Sequence, residues 1–297
     1  AAAPHAEPCR CAGLDHDDVG RGRLTVGQRH PGERDTDRQH GEQPDEQHRQ
    51  AAAARRLIGK PLGEHAPYAD RVWKASHGNP IDLLLLGDSI AAGLGAERRK
   101  DTLGGRVAKG LAKQTGRSVR LRTAAVVGSE SSQLADQLAT LEPEYAPDVA
   151  VIVVGGNDVT HRVPIAESVG YLQDAIVDLR ARGTEVVVGT CPDLGALRPV
   201  PQPLRALGSR ASRQLAVAQA QAAVAAGAHA VSLAQVVGPF FITNPDEMFS
   251  LDRFHPSALG YRRTAAALVP SLLTAMGLHD QVPFGHAAPI VPAEPSL

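Results

Sequence analysis

Four short segments carry side chains and glycines suited to moving an acyl group. Gly87-Asp88-Ser89 follows a run of leucines, so Ser89 would open the next helix with its hydroxyl exposed and its N–H unpaired by the helix. Asp252-Arg253-Phe254-His255-Pro256 sets a carboxylate three residues before an imidazole, ahead of a helix that Pro256 can start. A serine hydroxyl is a weak nucleophile unaided. It needs a base to take its proton and an acid to hold that base in the useful tautomer. Gly155-Gly156-Asn157-Asp158 offers a side-chain NH₂, and Val127-Gly128-Ser129 a backbone N–H at a position of close approach. Both suit an oxygen that becomes negative during reaction. Each segment also has a plainer reading: Ser89 as a helix cap, Asn157 or Gly128 as turn residues, His255 as a solvated surface histidine.

These segments become interesting together because of the elements around them. Short aliphatic runs at 81–86, 119–127, 149–154, 185–190 and 228–233 predict strands. Between them, helical spacing links Leu103, Val107 and Leu111, then Leu134, Leu138 and Leu141. It continues through Val169, Leu172, Ile176 and Leu179, and through an Ala/Gln-rich stretch from Leu215 to Val224. A last helix is expected after Pro256, through Tyr261, Leu268 and Leu272. Runs such as Leu83–Leu86 and Val151–Val154 are apolar on both faces, as strands covered by helices must be. The alternation predicts a three-layer α/β/α, flavodoxin-like domain with a five-stranded parallel sheet. In such sheets ligands collect outside the carboxyl ends of the strands, which is where all four segments fall.

Composition narrows the alternatives. The 297 residues hold 31 basic and 32 acidic side chains, a net charge of −1, which disfavours a nucleic-acid binder built on a basic surface. No uninterrupted apolar run is long enough for a membrane span. Cys9, Cys11 and Cys191 cannot all pair within the chain and suggest a reducing compartment. Cys9-x-Cys11 lacks the further ligands a zinc site needs, and no metal is expected. Residues 1–55 read as a polar extension too poor in apolar side chains to fold alone, and 56–297 as one domain. The extension lacks the pattern of a secretory signal, so a cytoplasmic location is expected.

In order and chemistry the segments resemble the four sequence blocks of the SGNH (GDSL-type) hydrolase superfamily. Gly87-Asp88-Ser89 with Gly93 matches the first block and Gly128 the second. Gly156-Asn157-Asp158 matches the third, and Asp252-x-x-His255-Pro256 the last. The resemblance runs over residues 81–277. It departs in Ala124-Ala125-Val126-Val127-Gly128, which lacks the asparagine often found before that glycine. It implies Ser89 as nucleophile, His255 as base and Asp252 as its orienting acid. The N–H groups of Ser89 and Gly128 and the side chain of Asn157 would form the oxyanion hole, with no cofactor required.

Beyond that chemistry the residues leave choices open. Asp88 and the cluster Phe240, Phe241, Phe249 and Phe254 are candidate substrate contacts, although the phenylalanines equally suit core filler. The Pro-rich loop from Pro192 to Pro203 is long enough to wall a cleft. Arg98-Arg99-Lys100 could meet a substrate anion or simply form a solvated face. The Ala/Arg-rich, Lys-poor style is actinobacterial. Within the superfamily the chain from about Ala51 is similar to mycobacterial octanoyltransferases that acylate glucosylglycerate. That likeness implies octanoyl-CoA as a co-substrate and a sugar hydroxyl as acceptor. The alternatives are an esterase passing the acyl group to water, a non-catalytic flavodoxin-like module cradling a phosphate at Gly87–Gly95, and a degenerate scaffold.

Overall fold

The computed structural model describes residues 65–289. The expected polar extension, with Cys9 and Cys11, lies outside them. The described strands are β1 (Arg71–Trp73), β2 (Ile81–Gly87), β3 (Val119–Thr123), β4 (Val149–Val153), β5 (Glu185–Gly189), β6 (His229–Val231) and β7 (His286–Ala287). They form one sheet in the order β1-β3-β2-β4-β5-β6-β7.

The five central strands are parallel, with Leu83 opposite both Leu121 and Val149 and Val149 opposite Glu185. The expected five-stranded sheet therefore becomes seven-stranded and mixed, because β1 and β7 add antiparallel edges to β3 and β6. Both edges are only two or three residues long and carry no alternation to read. The expected strand at 119–127 ends at Thr123: Ala124 and Val126 still donate to the Leu85 and Gly87 carbonyls of β2, but the Gly87 N–H that would complete the ladder goes to the Gln137 side chain.

Alternation along the buried strands splits the interior into two cores. Leu83, Leu85, Val149, Val151 and Val153 face one side, packed by α2 (Leu103–Thr115) and α10 (Ala258–Ala275). Leu84, Leu86, Ala150 and Ile152 face the other, packed by α3 (Leu134–Ala139), α5 (Ile165–Ala181) and α6 (Leu204–Ala225). Thr102 caps α2 by accepting from the Gly105 N–H at 3.1 Å, and Ser257 caps α10 by accepting from Leu259 and Gly260. The three layers are thus those the apolar runs predict. No helix among the described residues is long and apolar enough to cross a membrane.

Candidate active site

β2 ends at Gly87, whose φ of 126° lies outside the range most L-residues adopt. A Cβ here would run into the Val153 carbonyl oxygen of β4, so glycine is required for the chain to turn at the sheet edge. Asp88 follows as the cap of α1 (Ser89–Ala92), its Oδ1 accepting from the Ile90 N–H at 2.9 Å. The capping role open to Ser89 thus belongs to its neighbour. Ser89 becomes the first residue of α1, with its hydroxyl free for other work.

That hydroxyl lies 3.0 Å from His255 Nε2, and His255 Nδ1 lies 2.6 Å from Asp252 Oδ2. Segments 166 positions apart in sequence therefore make a continuous Ser–His–Asp chain. The other oxygen, Asp252 Oδ1, accepts from the Ser250 hydroxyl at 2.7 Å and from the N–H groups of Phe254 and His255 at 3.0 Å each. Burial alone would raise the Asp252 pKa. Hydrogen bonds from the His255 ring, Ser250 and the two N–H groups outweigh it and hold the carboxyl at about 2. Asp252 is therefore an anion at any pH where the imidazole can act as a base.

Two contacts press the histidine loop onto the serine turn. Gly95, at φ 101°, lies so close that a Cβ would sit 2.6 Å from the Pro256 oxygen and 2.9 Å from His255 Cβ. Tyr261, fully buried on α10, donates to the Leu94 carbonyl at 2.5 Å. The opposite rim is joined by side chains. Asn157, in α4 (Gly156–His161), donates from Nδ2 to the Ser129 carbonyl at 2.9 Å, which leaves its second N–H hydrogen for another acceptor. Asp158 accepts from the Ser131 N–H, and Gln137 clamps Gly87 by accepting from its N–H and donating to its carbonyl, each at 2.8 Å. Gln137 also reaches Ser129 Oγ at 3.2 Å. Gly128 stands one residue before this anchored serine at φ 86°, and its N–H has no partner among the described residues.

A family model described as GDSL-like lipase/acylhydrolase matches residues 85–263, the span from the end of β2 to the start of α10. The chain belongs to this family. The GDSL-like esterase Rv1075c of Mycobacterium tuberculosis is 39% identical over 259 residues, which cover 84% of this chain and 82% of that protein. Among solved structures, a catalytic mutant of Axe2, an acetylxylan esterase from Geobacillus stearothermophilus, superposes with a TM-score of 0.51 at 18% identity. It covers 67% of this chain and 95% of that one. The esterase EstA of a Pseudoalteromonas species gives 0.51 at 17% identity, covering 66% and 98%. At those identities the likeness concerns the fold.

In this GDSL-type hydrolase Ser89, His255 and Asn157 open onto a cleft of about 80 Å³. Its walls are largely apolar. Leu194, Ala196 and Leu197 come from the Pro-rich loop, Leu233 and Val237 from the segment after β6, Phe241 from the short helix Gly238–Thr243, and Phe249 and Phe254 from the loop leading to His255. Three of the four expected phenylalanines thus border the serine. Phe240 does not: its ring turns away and carries the Arg263 guanidinium 4.4 Å from its centroid. Gly128 is likewise absent from the cleft lining and stands on the exposed loop beside it. Asp88 lines the cleft floor, and burial pushes its carboxyl up to about 6, against the opposing pull of the Ile90 N–H. Arg98 pairs with Asp101 at 2.8 Å, so the basic run at 98–100 is partly neutralised by the chain itself.

Sequence reasoning missed Ser250, Gln137, Gly95 and Tyr261, which orient the others without reacting. Cys191 is buried, and burial raises its thiol pKa well above the ordinary value, so it behaves as a small apolar side chain. Among the described residues no three His, Cys, Asp or Glu side chains gather as a metal site.

Proposed function

We propose that Ser89 carries an acyl-enzyme through which a medium-chain acyl group passes from a thioester of the octanoyl-CoA kind to a sugar hydroxyl such as that of glucosylglycerate, in the cytoplasm. The hydrogen-bonded chain Ser89–His255–Asp252 at the floor of an apolar cleft carries this reading. As Ser89 Oγ bonds to the acyl carbon, its proton passes to His255 Nε2, and Asp252 stabilises the imidazolium that results. The carbonyl oxygen takes up the charge and is met by the Ser89 and Gly128 N–H groups and by Asn157. When the bond to the leaving group breaks, His255 returns the proton to it. The acceptor hydroxyl then gives its proton to His255 and bonds to the acyl carbon, and His255 passes that proton to Ser89 Oγ as the acyl–serine bond breaks.

Water as the acceptor is the second reading, favoured by the relative named an esterase. Both outcomes share one acyl-enzyme and differ in what reaches it. Labelling by a fluorophosphonate, lost in Ser89→Ala, tests the shared step. A wild-type protein that resists the probe, or a Ser89→Ala protein that keeps turnover within tenfold, overturns it. Incubation with octanoyl-CoA with and without glucosylglycerate separates the acceptors. Octanoylated sugar is expected, and free octanoate as the sole product refutes the transfer.

A further inference from the structure

Arg253 occupies a position that suits glycine. Its φ is 56°, in the left-handed region. The turn there is needed because Asp252 Oδ1 gathers the N–H groups of Phe254 and His255, while the Arg253 N–H donates to the Ser250 carbonyl at 2.9 Å. Glycine would serve that turn with less strain, and the arginine side chain adds nothing to it. Its guanidinium has no hydrogen-bond or ion-pair partner among the described residues and stands exposed. A strained, unpartnered cation one residue from the catalytic acid calls for a reason outside the fold.

The surroundings supply one. Ala196 and Phe249 line the acyl cleft on one side and, on the other, a groove completed by Arg198, Pro199, Pro245, Asp246 and Arg253. Of the Arg198 guanidinium donors, one Nη reaches the Ile242 carbonyl at 3.2 Å; the rest are uncommitted. Two arginines therefore face this groove against a single acid, Asp246. Arg253 also borders a wider groove holding Glu97, Asp101, Asp246 and Glu247, where Arg98 is already paired with Asp101. That groove is net acidic, so an anion is directed to the Arg198 side.

We infer that Arg253, together with Arg198, binds an anionic group, phosphate or carboxylate, on the alcohol or thiol portion of the substrate. This deepens the Ser89 acyl-enzyme reading and rests on it. With the acyl chain in the apolar cleft and its carbonyl at Ser89, the remainder of the substrate leaves past Phe249 and Ala196 into the space between the two guanidiniums. Planar forks of N–H donors match either oxyanion in bidentate fashion. Arg253 thereby sets specificity for the leaving group while the phenylalanines receive the chain.

The test compares full-length wild type with Arg253→Gly and Arg198→Gln on three octanoyl substrates. Octanoyl-CoA carries phosphates, 4-octanoyloxybenzoate a carboxylate, and p-nitrophenyl octanoate no charge. For Arg253→Gly the ratio of kcat/KM for an anionic substrate to that for the neutral ester is expected to fall at least tenfold, chiefly through KM. The melting temperature should stay level or rise, since the strain is relieved. A selective loss with the CoA ester alone identifies phosphate; with the benzoate alone, carboxylate. An unchanged ratio in a protein that turns over the neutral ester overturns the Arg253 assignment and leaves Ser89 standing. Failure of the wild type to turn over any of the three overturns both.

Discussion

Replacing Asp252 by Asn keeps the size of the side chain and removes its charge, so it separates the orienting role from simple packing. In the native loop one oxygen serves three donors and the other faces His255 Nδ1 at 2.6 Å. An asparagine oxygen would keep the three donors, which turns its NH₂ toward the ring. Nδ1 must then accept, the proton moves to Nε2, and Nε2 no longer takes the Ser89 proton. Such a wrong tautomer lowers kcat by about 10⁴ in a well-studied serine protease triad. Stability should fall as well. The native carboxyl sits at about 2 against an ordinary 3.8, a difference worth about 2 kcal/mol. Because the folded value is depressed, that contribution is complete above pH 4 and disappears as pH falls through 2. Urea denaturation at pH 7 should therefore show Asp252→Asn less stable by about 2 kcal/mol, with the gap closing in acid. Steady-state kinetics on a neutral octanoyl ester supply the other readout. A variant within tenfold of wild-type kcat would refute the claim that Asp252 fixes the imidazole, whatever its stability.

Three more outcomes follow from the same geometry. Asn157→Ala should lower kcat about a hundredfold with little change in KM, as loss of one preorganised donor does; a raised KM at constant kcat would assign Asn157 to ground-state binding. Asp88→Asn should flatten part of the pH dependence of folding. The buried Asp88 carboxyl titrates at about 6, so its contribution is present below about pH 4 and lost as pH rises through 6; the wild type should lose about 2 kcal/mol relative to the variant between pH 4 and pH 7, read by denaturation at those two values. Across straight-chain esters, kcat/KM should climb about fourfold per methylene while the chain still fills the apolar cleft, each buried CH₂ being worth roughly 0.8 kcal/mol. A flat series from acetyl to octanoyl would mean the chain lies elsewhere.

The central strands and the residues proposed to react were legible because their signals are local. Leu83–Leu86 is apolar at every position, which only a strand covered on both faces tolerates, and Ser89 follows it directly. The edge strands were not legible. Arg71–Trp73 pairs with β3 across a long stretch of chain, and its three residues carry no period of their own. The supporting polar groups were hidden for a different reason. Gln137 and Gln219 stand in helices among residues that read as solvent-facing, yet both are buried. Gln219 accepts from the Cys191 N–H at 2.7 Å and donates to the Val154 carbonyl at 3.0 Å, as Gln137 does for Gly87. Such contacts depend on how far the chain has travelled before it returns, and spacing along the sequence does not encode that. Phe240 shows the reverse limit. Its neighbours Phe241 and Phe249 meet edge to face, 4.9 Å apart, beside the cleft, while one step along the same helix turns Phe240 outward under Arg263.

The two buried glutamines explain why the site can be rigid although it is built from loops. Where parallel strands end, backbone N–H and C=O groups lose their ladder partners just as the chain dives toward the cleft, and leaving them unpaired in the interior is costly. Water there would satisfy them at the expense of exclusion from the reacting carbonyl. A primary amide supplies one donor and one acceptor on a single planar group, so each glutamine closes a strand end without admitting solvent. Gln137 fixes the residue two before Ser89 and also holds Ser129, whose carbonyl holds Asn157. The turn carrying Ser89 and the rim carrying Asn157 are thus tied through one side chain from the second core, while His255 arrives with α10 from the first. Ser89 meets His255 beside Asn157 because the sheet edge is where those two cores, each packed independently, are forced to share a boundary.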